Sequence, residues 1–115
     1  MSGFDPFSAV TEVELNFAET RFKGAVVTCR LDLTAEEQFA LLSDGEGKAK
    51  SAEEQFRAIG DRVLKSWNLC DRDGVQIPAN GDGMMRIPAA LAALIRDNYI
   101  PAAWSLAPLS QPSSD

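Results

Sequence analysis

Two runs in which apolar and polar residues alternate constrain this chain more than any other feature. In Thr11–Phe17 the apolar positions are Val13, Leu15 and Phe17; in Ala25–Leu33 they include Val27, Cys29, Leu31 and Leu33. A period of two puts such side chains on one face of a strand. The connection Ala18–Gly24 is short and polar and ends in glycine, so the runs pair most simply as an antiparallel hairpin. A lone hairpin is marginal in water, and its apolar face must be covered by the rest of the chain.

Beyond Leu33 the pattern turns helical. Thr34-Ala-Glu-Glu37 and Ser51-Ala-Glu-Glu54 both have the form of a capping box, in which a hydroxyl and a glutamate satisfy orphan amides at a helix start. The first opens a short helix over about 35–43, with Phe39 and Leu42 three apart on one face. Asp44–Lys50 is charged and glycine-containing, and reads as a mobile linker. The second box opens a helix expected over 51–67, striped by Phe56, Ile59, Val63, Leu64 and Trp67. Asp73-Gly74 is a turn signal and Asn80–Gly83 a second loop. A last helix is expected over 88–99, with Pro88 in its first turn and Leu91, Leu94, Ile95 and Tyr99 as its apolar face. Pro101 ends or kinks it, and Ala102–Trp104 adds at most a turn. From Ser105 the chain has two prolines and four serines in eleven residues, and residues 105–115 read as a flexible tail. The expected fold is α+β: one domain over 1–104, an N-terminal hairpin (about 11–33) packed on three to four helices.

Composition removes several function classes. At 115 residues the chain can bury a core without staples. Its formal charge is −6, opposite to what a nucleic-acid binder needs to displace counterions from phosphates. The charge is uneven: residues 1–55 carry eleven acids against five bases, whereas the remainder carries six of each. A basic partner would therefore meet the N-terminal half. There is no histidine, which removes the usual general base, the serine and cysteine triads and most catalytic zinc sites. The paired acids at 36–37 and 53–54 are explained by capping and the helix dipole. Asp71-Arg-Asp-Gly74 has its glycine two places too early for a calcium loop, and Asp82 stands where such a loop wants glutamate. No lysine comes after the glycines at 74, 81 and 83 to lead into a helix, so they form no phosphate loop. Cys29 and Cys70, forty-one residues apart, fit no metal motif; both are expected reduced and buried, with a disulfide as the minor alternative. No signal-like start and no window of membrane-spanning length is found, so the expected location is cytoplasmic, with no membrane, metal or cofactor and no catalysis. Met84-Met85 suits gap-filling or an adaptable contact.

The stretch from Val63 to Pro78 brings a tryptophan-asparagine-leucine step (Trp67-Asn68-Leu69), an acid-x-acid-glycine turn (Asp71-Arg72-Asp73-Gly74) and a proline loop (Ile77-Pro78) into close succession. The last helix, Ile87–Tyr99, then leads to a second tryptophan, Trp104. This arrangement resembles the tail assembly chaperones of long-tailed bacteriophages over roughly residues 11–104, departing from them in its acidic front end and in Cys70. The resemblance implies a non-catalytic protein of the host cytoplasm. Such a protein binds and solubilises the apolar, helix-rich tape measure protein, assists assembly of the tail-tube protein, and self-associates. The residues expected at the contact are Leu91, Leu94, Ile95, Tyr99 and Trp104. Ala89, Ala90, Ala92 and Ala93 would let another backbone approach closely, and one short hairpin covers too little of the apolar face. The alternative is a small structural virion component, such as a head–tail connector or tail-terminator subunit; an enzyme ranks third.

Overall fold

The computed structural model describes residues 3–105. After a single 3-10 turn at Pro6–Ala9, strands β1 (Glu12–Leu15) and β2 (Val27–Arg30) pair antiparallel, with Val13 opposite Cys29 and Leu15 opposite Val27. This is the expected hairpin. Its inner face is fully shielded at Val27 and Cys29, and Phe17 is buried just beyond β1. Helices α1 (Ala35–Leu42) and α2 (Ala52–Arg62) each begin in a complete capping box, Thr34 with Glu37 and Ser51 with Glu54.

The helix expected over 51–67 is corrected here. It stops at Arg62, and Leu64–Trp67 forms a third strand, β3, antiparallel to β2. The sheet order is β1-β2-β3. Two physical facts explain the difference. Without β3, one edge of the buried β2 would carry unpaired amides and carbonyls, which cost more than a helical turn gains. The pairing also slips between Thr28 and Cys29: Ser66 faces Thr28 but Leu64 faces Cys29, leaving Lys65 as an extra residue. That bulge turns Leu64 and Trp67 to the same side although they are three apart, so a bulged strand imitates helical spacing.

The loop expected at Asn80–Gly83 is also corrected, since Gly81–Met84 is a helical turn, α3, capped by the Asn80 side chain accepting from the Gly83 amide at 2.8 Å. The glycines there and in α2 permit backbone contact. A Cβ on Gly60 would lie 2.5 Å from the Asn80 carbonyl oxygen. The Asp61 carboxylate accepts from the Gly81 amide at 2.7 Å and clamps the two helices.

The last helix, α4, spans Ala89–Ser105, six residues beyond the expected end at Tyr99; it continues through Pro101 and includes the further turn over Ala102–Trp104. Interior proline costs about 3 kcal/mol; what the extra turn gains is the packing of Ala103 on the core and of Trp104 on Phe39. The tail expected over 105–115 lies, apart from Ser105, outside the described residues. Asp44–Lys50 is a closed turn, not a free linker: Ser43 bridges to Ala49, and Asp44 Oδ1 accepts from the amides of Glu46 and Lys48. Of the expected pair on α1, Phe39 is exposed and Leu42 is partly buried; the residues that α1 buries are Gln38 and Leu41. Together the sheet and helices enclose one cluster that includes Ile59, Val63, Trp67, Met84, Ile95 and Tyr99. No helix among the described residues is long and apolar enough to cross a membrane.

Candidate functional site

The tryptophan-asparagine-leucine step works as a clasp. Trp67 is buried, and its indole Nε1 donates to the Ile77 carbonyl at 2.6 Å. Asn68 binds the other side: its Oδ1 accepts from the Val26 amide at 2.8 Å, and its Nδ2 donates to the Gly24 carbonyl at 3.0 Å. Leu69 completes the pairing by accepting from the Ile77 amide at 3.0 Å. Three successive residues thus pin the β1–β2 connection to the chain after β3.

Between Leu69 and Ile77 the chain reverses at Asp71–Gly74. Asp71 Oδ1 accepts from the amides of Asp73 and Val75, and Gly74 adopts φ +82°, a left-handed conformation that favours glycine. Asp44–Gly47 repeats this frame. There too one aspartate oxygen takes the amides two and four residues on, and the glycine has φ +82°. Both are type I-like turns closed by a glycine bulge, which is why Asp-x-x-Gly occurs at each.

Against the second of these turns lies the start of α4, and between them opens a groove of about 850 Å³. Its floor is apolar, formed by Phe22, Leu69, Ile77, Ile87, Pro88 and Leu91. Its lip is polar: Arg72, Asp73 and Arg86 are exposed, and neither arginine joins an ion pair among the described residues. Cys70 also lines the groove and is exposed, so the expectation that both cysteines are buried holds only for Cys29. Burial pushes the Cys29 thiol up to about 12, far from the reactive thiolate form. Both cysteines are free thiols.

The expected contact residues are distributed differently from the sequence reading. Ile95 and Tyr99 are fully buried, and Leu94 is partly buried against the core. Tyr99 accepts a hydrogen bond from Gln38 Nε2 at 2.7 Å and donates to the Arg30 carbonyl at 3.0 Å. Ile95 and Tyr99 are therefore corrected from surface to core and Leu94 to partial burial, because α4 packs against α2 as well as β1, not on the hairpin alone. Leu91 is buried yet lines the floor of the groove. Trp104 is exposed, but thirteen residues along α4 from Leu91, about 20 Å away at 1.5 Å per residue. The sequence reading overlooked the other groove residues. Their one legible signal is the pair of apolar residues, Leu69 and Ile77, bracketing the Asp-x-x-Gly turn.

Glu37 and Glu54 are held in caps and Asp71 in its turn. Among the described residues no three acids or cysteines gather as a metal site would require. An apolar floor of this size, flanked by unpaired guanidinium groups, suits the side chains of a peptide segment with a polar margin. Compared with known proteins, the chain matches no family model, no curated protein and no solved structure.

Proposed function

We propose that this protein is a tail assembly chaperone of the long-tailed-phage type, acting in the host cytoplasm, which holds apolar helical segments of a tape measure protein until the tail-tube protein assembles around them. One observation carries the reading. The residues on which the resemblance rests, from Trp67 through Asp71–Gly74 to Ile77, are those that build and brace the groove. A motif that makes a receiving surface fits a protein working by contact. An exposed apolar groove also needs an occupant, since water there is released when a partner's leucines or alanines enter.

Co-expression with the tape measure protein of the same phage tests this. The partner is expected to become soluble with this chain and to precipitate with a Leu69→Lys, Arg86→Glu double variant that retains its circular dichroism. A partner equally insoluble with and without the wild-type chain would end the chaperone reading. Solubility unaffected by the double variant would move the contact away from the groove. Presence of the chain in purified virions at a fixed stoichiometry would favour the virion-component alternative.

A further inference from the structure

Phe39 and Trp104 form an exposed aromatic pair at the opposite end of α4 from the groove. Phe39 is 61% exposed and Trp104 48%, yet the rings meet with centroids 5.3 Å apart at a tilt of 53°. They come from different helices, and Trp104 reaches Phe39 only because α4 persists beyond Pro101. Beside them lies a depression of about 540 Å³, lined by Glu36, Phe39, Ala40, Ser43, Asp44 and Lys50 among others. Its lining carries two carboxylates against one ammonium. Glu36 has no ion-pair partner among the described residues. Asp44 accepts from the backbone amides of Glu46 and Lys48, while the Lys50 ammonium is turned inward to the Ala40 carbonyl at 2.6 Å. Glu37 and Glu46 are exposed nearby in sequence, and so is Lys48, which leaves the acids in excess.

We propose that Phe39, Trp104 and this depression form a docking surface for a basic amphipathic helix of a partner protein. Its apolar side chains would cover the two rings, and its lysines or arginines would meet Glu36 and Asp44. Charge complementarity selects this occupant. Aromatic faces attract cations as well as apolar groups, and carboxylates at the margin add to that attraction. A second copy placed on the same patch by a two-fold axis would instead set acid against acid. The surface is separate from the groove, so it stands whether or not the function proposed above does.

The test uses the full chain and two helical peptides with identical apolar faces, one bearing lysines and the other glutamates. Binding is followed by calorimetry and by acrylamide quenching of tryptophan. A Trp104→Phe variant leaves only the emission of buried Trp67, and the difference isolates Trp104. The lysine peptide is expected to bind, to protect Trp104 from quenching, and to weaken several-fold in about 0.5 M salt, where charges are screened. The glutamate peptide should bind on the order of tenfold more weakly or worse. Phe39→Ser and Trp104→Ala should each weaken the lysine peptide on the order of tenfold, as expected for aromatic anchors. Glu36→Lys should weaken it several-fold and, at an exposed position, keeps the test intact should a truncation unfold the chain. Equal binding of the two peptides overturns the proposal, as does binding that survives Phe39→Ser and Trp104→Ala together. Trp104 already shielded in the monomer would mean that the chain covers the pair itself, and a dimer dissociated by Phe39→Ser would make a second copy the occupant; either result also overturns it.

Discussion

Through its hydroxyl, Tyr99 takes a hydrogen bond from the Gln38 amide and gives one to the Arg30 carbonyl, so one oxygen ties α4 to α1 and β2. Tyr99→Phe leaves the buried Gln38 amide and the part-buried Arg30 carbonyl without these bonds, which should cost about 1–3 kcal/mol in a urea melt; an unchanged midpoint would show that the site repacks. Burial also raises the Tyr99 hydroxyl from 10.0 to about 12 and the Cys29 thiol from 9.0 to about 12. Well below pH 9 both groups are neutral, folded or unfolded, and contribute nothing to pH dependence. Above it the unfolded chain releases these protons first, so stability should fall as pH rises from about 9 towards 12. Cys29→Ala should move the onset up to about pH 10, read from urea midpoints across that range. An apolar face on the last helix was legible in the sequence; that Tyr99 faces inward was not, since its hydroxyl partners lie sixty-one and sixty-nine residues away.

Elements whose signals are local were the readable ones. Both capping boxes and both strands of the first hairpin are specified by residues within a few positions of each other. β3 was not readable, because Val63, Leu64 and Trp67 satisfy helical spacing as well as a bulged strand does, and only the open edge of β2 decides between them. α3 escaped notice because its glycines resemble loop residues, though they are required by the approach of α2. That approach gives a sign-reversed prediction. Gly→Ala in a helix interior ordinarily stabilises by up to about 1 kcal/mol. At Gly60 the added methyl meets the Asn80 carbonyl at 2.5 Å, and the change should instead destabilise by about 1–3 kcal/mol in guanidinium denaturation. Stabilisation by Gly60→Ala would show that α2 and α3 are not in backbone contact.

Across the whole molecule, α4 carries the groove near one end and the aromatic pair at the other, with Tyr99 anchored between them. Leu69→Lys and Phe39→Ser lie on separate surfaces and share no partner, so their effects on stability should add within about 0.5 kcal/mol. A larger coupling in a double-mutant cycle would mean that α4 transmits strain from one end to the other. Beyond the bracketing pair Leu69 and Ile77 the groove was not legible, since Phe22, Leu69 and Ile87 are far apart in sequence and line it together only in the fold. The two aspartate-glycine turns have a further use. Because Asp44–Gly47 and Asp71–Gly74 share one backbone frame, their central dipeptides, Gly45-Glu46 and Arg72-Asp73, are interchangeable cassettes. Exchanging them should leave the melting temperature within a few degrees while moving a positive charge from the groove to the aromatic end. Each surface could then be re-addressed to a partner of opposite sign without redesigning the scaffold that displays it.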